Sequence, residues 1–193
     1  LMSSPAVRAE DLNFSEKGIA EIYRKNIARL LNVLSFFETY TEELPTKEFN
    51  SRQLVNVLDR WIMSRLGGTI VEVERVLDNY EIDRASRPIE EFIEDLSVWY
   101  LRRSRDRFKS DDKGDREEAI ATTYHVLKET AKLLAPICPF VAEEIYLKLK
   151  KASESESVHL AKWPNEENNL VYIETPIGEE MAAVRQIVSL ALE

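Results

Sequence analysis

The chain has 193 residues, 44% hydrophobic and 32% charged, a balance that supports a folded core and excludes a disordered polymer. Only 5 glycines exclude collagen-like and turn-dense all-β architectures, and neither G-x-G-x-x-G nor G-x-x-x-x-G-K-[ST] occurs to cradle a nucleotide. A net charge of −9 argues against nonspecific nucleic-acid binding by the molecule as a whole.

From about Ser15 to Tyr40, the apolar residues Ile19, Ile22, Tyr23, Ile27, Leu30, Leu31, Leu34 and Phe37 recur at helical spacing. Ser15 is the expected N-cap, and Leu44-Pro45 closes the segment. A second helical stripe spans roughly Ser51 to Tyr80 through Leu54, Val57, Leu58, Trp61, Ile62, Leu66, Ile70, Val73, Val76 and Leu77. Gly67-Gly68 in its middle should soften or bend it, at about 1 kcal/mol per glycine. The third stripe runs from Asp83 to about Phe108 through Ile89, Phe92, Ile93, Leu96, Trp99 and Tyr100, and Pro88 fits only in its first turn or at a kink.

The polar turn Ser110-Asp111-Asp112-Lys113-Gly114-Asp115 leads into a fourth stripe, with Ile120, Thr123, Tyr124, Leu127, Ala131 and Leu134. Pro136 breaks it, and Val141, Ile145, Tyr146 and Leu149 resume the period after Pro139. Long helices with short polar links predict an all-α, up-and-down bundle over residues 15–151. Residues 152–193 read as a separate extension. In it, Ala152 to Ser157 is a solvated Ser/Glu loop, Val158–Trp163 and Leu170–Ile173 are minor extended pieces, and a helix begins near Gly178. No internal repeat is visible.

Catalytic and metal chemistry find little support. Neither histidine has the helical Glu-x-x-His setting of a bundle metal site: His125 follows Thr122, and His159 lies with Glu156 in the polar loop. No metal is expected, and His125 reads as a packed or surface residue. Cys138, between Pro136 and Pro139, reads as an inert small hydrophobe. As the single cysteine it allows no intramolecular disulfide and points to a reducing compartment, the cytoplasm. The pairs Glu42-Glu43, Glu90-Glu91 and Glu143-Glu144 read as solvated faces. No apolar run approaches the roughly 18 residues of a membrane span, and no secretory leader opens the chain. Asn13-Phe14-Ser15 matches a glycosylation acceptor only by accident in that setting. Both ends, Leu1-Met2-Ser3 and Leu192-Glu193, read as internal to a longer protein.

One run departs from the acidic background. Trp99-Tyr100-Leu101-Arg102-Arg103-Ser104-Arg105-Asp106-Arg107-Phe108-Lys109 carries net +4, which leaves −13 on the rest. Such a cluster implies an anionic target, and its arginine bias favours bidentate phosphate recognition. The neighbouring aromatics could serve unpaired bases. Equally, the arginines could complement a helix C-terminus and pair with local acids, and composition alone leaves the two readings level.

Several strings resemble a known family. Leu58-Asp59-Arg60-Trp61-Ile62-Met63-Ser64-Arg65-Leu66 resembles the opening of the anticodon-binding helical domain of class I aminoacyl-tRNA synthetases. Asp78-Asn79-Tyr80, the stretch from Phe92 to Arg105, Leu134 to Tyr146, Ser157-Val158-His159-Leu160 and Trp163-Pro164 are most similar to the isoleucyl-tRNA synthetases. The valyl and leucyl enzymes share the proline break and the Trp-Tyr element. Ser3 to Leu12 resembles the segment after the family's catalytic signature loop, so residues 1–14 would be a linker toward the tRNA stem.

The resemblance implies a noncatalytic module that recognises the anticodon stem and loop of isoleucine tRNA and partners the rest of the synthetase chain. It implies no cofactor in this stretch, because ATP and magnesium belong to a catalytic domain elsewhere, and neither DNA nor a membrane as partner. Arg102, Arg103, Arg105 and Arg107 would meet phosphates and bases, Arg8 would face the stem, and Trp99 and Tyr100 would mainly pack. Two alternatives stay open: the same domain of a valyl or leucyl enzyme, and a protein-interaction bundle whose arginines pair with acids of another domain.

Overall fold

The computed structural model describes residues 9, 11, 15–46, 49–164 and 173–191, which are helical throughout their regular parts, with no strand among them. The first stripe forms α1 (Glu16–Ile22), a π-helical turn (Tyr23–Ile27) and α2 (Ala28–Tyr40). Ser15 caps it, its Oγ accepting from the Gly18 amide at 3.1 Å. A Cβ at position 18 would stand 2.9 Å from that oxygen, so a larger residue there would make the Ser15 side chain shift slightly. Burial starts later than the stripe predicts. Leu30, Val33, Leu34 and Phe37 are buried, whereas Ile19, Ile22 and Tyr23 are exposed, because the stripe runs on past the edge of the core.

The second stripe becomes α3 (Val57–Asp78), capped by the Asn56 side chain and entered through a short turn at Ser51–Gln53. It buries Trp61, Ile62, Met63, Leu66, Ile70, Val73 and Val76. Gly67-Gly68 neither breaks nor interrupts it, since packing along the rest of the helix outweighs the propensity cost. Tyr80 ends it with a left-handed backbone (φ 58°), and the Glu81 amide bonds back to the Val76 carbonyl at 2.8 Å.

The third stripe forms α4 (Ser86–Glu94), a seven-residue π-helix (Asp95–Leu101), α5 (Arg102–Ser104) and a tight turn at Arg107–Lys109. Pro88 lies in the first turn of α4, where its missing N–H is no loss. Asp112 caps α6 (Lys113–Leu134), and the chain turns at 135–138 into α7 (Pro139–Leu149) with Pro139 in its first position. α6 packs on α7 and α3, and α3 also receives α4 and α8 (Thr175–Leu190).

The stretch beyond α7 is less solvated than its composition implies. Glu143 accepts from the Ser157 hydroxyl at 3.0 Å and the Val158 amide at 2.8 Å, so it is a tie and not a free acid. Tyr146 donates to the Ser155 carbonyl at 3.2 Å, and Lys128 pairs with Glu154. Val158–Leu160 is a helical turn where an extended piece was expected. Residues 170–172 of the second expected piece lie outside the described residues. α8 begins earlier than Gly178, held where the Glu174 amide donates to Ser64 Oγ at 2.8 Å and Glu174 pairs with Arg60. Val158, Ile177 and Met181 complete the same core as the bundle.

Candidate nucleic-acid interface

Successive side chains of a helix diverge by about 100°, so the arginines of the basic run cannot share one face. Arg107 turns inward. It grips the fully buried Asp59 carboxylate with two bonds, Nη1 at 2.9 Å and Nη2 at 2.6 Å, and donates from Nε to Asp115 at 2.8 Å. The Tyr100 hydroxyl donates to the same Asp59 at 2.6 Å. Burial pushes the Asp59 carboxyl up, against the pull of Arg107 and then Tyr100, and burial beside Asp59 raises the Tyr100 phenol well above 10. Pairing with Asp59 and Asp115 keeps Arg107 charged in spite of its burial. Arg107 therefore anchors the fold from within, its guanidinium taken up by Asp59 and Asp115.

The other arginines stay at the surface and part company. Arg105 lies over the Phe36 ring at 5.8 Å on the α2 side, next to Lys109 over Tyr40 at 5.4 Å. Arg103 covers the Trp99 ring on the α8 side, its guanidinium carbon 3.2 Å from the centroid. Arg102 is exposed and makes no ion pair among the described residues. Arg103 likewise has no carboxylate partner among them. Burial and its neighbours Arg102 and Arg185 push its guanidinium somewhat down, and it stays charged all the same. Arg8 lies outside the described residues.

Sequence reading missed Arg185. From α8 it donates to Asp95 at 2.5 Å and stands 5.4 Å from the Trp99 ring, while Arg65 of α3 takes the other Asp95 oxygen at 2.8 Å. One buried carboxylate thus neutralises part of two guanidiniums, and the edge formed by Arg102, Arg103 and Arg185 remains cationic. Nothing local in the sequence marks Arg185, because its partners lie far back along the chain.

His125 stacks on Phe49 with centroids 4.3 Å apart, and burial, then Lys132 and Lys128, push its pKa down to about 3. Cys138 is half-buried, and burial raises its thiol. Among the described residues no group of three or more histidines, cysteines or acids is placed to hold a metal, and no helix is long and apolar enough to cross a membrane.

Fold and edge together define a helical module with an aromatic-backed cationic rim. Residues 59–192 match the family model described as the anticodon-binding domain of tRNA ligase, and the chain belongs to that family. It is 38% identical to the isoleucine–tRNA ligase of Chlamydia caviae and 39% identical to that of Chlamydia pneumoniae, across 98% of this chain in each case. The chain spans 18% of the length of those relatives. The fold is also that of the crystal structure of the ternary complex of Agrobacterium radiobacter K84 agnB2 LeuRS-tRNA-LeuAMS. There the TM-score is 0.54 at 19% identity, covering 84% of this chain and 18% of that one.

Proposed function

We propose that this chain docks the anticodon stem and loop of an isoleucine-accepting transfer RNA on behalf of a longer ligase. That ligase would join isoleucine to the RNA with ATP and magnesium, in a region outside this chain. The observation that carries the reading is the pair Arg102 and Arg103, both exposed at consecutive positions without a carboxylate partner among the described residues. A cationic pair left uncompensated on so acidic a chain fits a polyanion, and guanidinium forks fit phosphate oxygens. Arg105 extends the contact toward α2, and Arg8 would add a contact on the stem side.

The isoleucine assignment rests on the family strings and on the names of the relatives. Its test is direct binding of the chain to purified isoleucine and valine transfer RNAs. Tighter binding of the isoleucine RNA is expected. Equal affinity for both would remove the assignment, and preference for the valine RNA would reassign the domain to a valyl enzyme.

A further inference from the structure

We propose that the Trp99 indole is a stacking platform for one unpaired nucleobase, and that Arg103 covers the platform until the base replaces it. The inference rests on the RNA-docking reading above and adds to it a chemical class of ligand, an exposed base, and a residue that takes it.

Trp99 is set differently from the other large aromatics near it. Trp61 and Tyr100 are fully buried, whereas Trp99 is only partly so. Its Nε1–H donates to the Met181 sulfur at 3.1 Å, which fixes the pyrrole edge against α8 and sets the plane of the ring. Over the ring lies the Arg103 guanidinium, a flat cation at 3.2 Å, the thickness of one stacked layer.

What holds that guanidinium is weak. Arg103 has no carboxylate partner among the described residues, and its charged neighbours Arg102 and Arg185 repel it. At an exposed site the cation–π contact is worth roughly a two- to fivefold preference. A base stacked on an aromatic side chain is worth roughly five- to 150-fold in affinity. The base therefore wins the ring, and the displaced Arg103, on its long arm, is free to meet the phosphate of the incoming nucleotide. Arg102, beside it and unpaired, supplies a second phosphate contact without any rearrangement.

The test compares the parent chain with Trp99→Leu, Trp99→Phe and Arg102→Ala. The probes are a hairpin RNA with an unpaired loop and a blunt duplex built on the same stem, titrated over a salt series. Trp99→Leu is expected to weaken the hairpin several-fold and up to about 75-fold, the stacking gain less the cation–π contact the base displaces, while leaving the salt slope and the duplex affinity unchanged. Trp99→Phe keeps most of the hairpin affinity, because a phenyl ring still stacks. The emission of Trp99, isolated as parent minus Trp99→Phe, is quenched by the hairpin and not by the duplex. If Trp99→Leu does not fold, that quenching decides the matter alone.

Hairpin binding without quenching, or unchanged by a folded Trp99→Leu, makes Trp99 a packing residue and overturns the inference. The docking reading survives that result if Arg102→Ala still flattens the salt slope. Failure of the parent to bind either RNA at low salt removes the docking reading and the platform with it.

Discussion

Removing the Arg107 guanidinium would leave the fully buried Asp59 carboxylate with only the Tyr100 hydroxyl to meet it. An orphaned buried charge costs about 3–5 kcal/mol, so Arg107→Ala should lose that much stability at neutral pH. Arg102→Ala, at the surface and unpaired, should change stability by no more than about 0.5 kcal/mol. The pH dependence has a definite sign. Burial, the largest influence on Asp59, raises its folded pKa above the unfolded value of about 3.9. Between those two values the folded state binds more protons, so stability present at low pH falls away as pH rises through the folded pKa. Without Arg107 the folded pKa climbs further, and the gap between variant and parent should widen from about pH 4 to pH 7. Urea denaturation at both ends of that range checks it, and a constant gap would mean that Asp59 keeps a partner. The sequence does not separate Arg107 from Arg102, since both stand in one basic run. What separates them is Asp59, 48 residues from Arg107 on another helix.

At the scale of elements, α3 is the axis on which α4, α6 and α8 converge, and Trp61 is its largest buried side chain, 1% exposed. Trp61→Ala should therefore cost roughly 3–5 kcal/mol, read as a shift in the chemical-denaturation midpoint. A loss under about 1 kcal/mol would mean that the surrounding helices collapse into the space. The long helices were legible because their apolar period is sustained, and the first also because Ser15 marks its start; the caps at Asn56 and Asp112 emerge only in the structure. The π-helix at Asp95–Leu101 was not legible, because the pattern of Leu96, Tyr100 and Leu101 reads equally as α. Nor was the end of burial on the first stripe, which depends on where the neighbouring helices stop. The Ser/Glu loop misled for a third reason. Glu154 and Ser157 look solvated by composition, and only their partners Lys128 and Glu143, on α6 and α7, draw them in.

The whole molecule sets two electrostatic effects against each other. Its net charge of −9 repels a polyanion at long range, while the basic run, at net +4, attracts one at contact. Added salt screens the repulsion beyond a Debye length of about 10 Å at 0.1 M, and it also reduces the gain from counterions released at each phosphate contact. For unpaired strands each contact contributes about −0.7 to the slope of log affinity against log salt, so contacts at Arg102, Arg103 and Arg105 alone give about −2. The repulsion works in the opposite sense, and the measured slope should be shallower than that. The slope also counts the contacts residue by residue. Arg102→Ala, Arg103→Ala and Arg105→Ala should each flatten it by about 0.7 with the fold intact by circular dichroism. If instead the arginines answered only to local acids, each replacement would trim stability by at most about 1 kcal/mol and leave the slope alone. Three folded variants with the parent's slope would make the rim structural and place the RNA contact elsewhere on the chain.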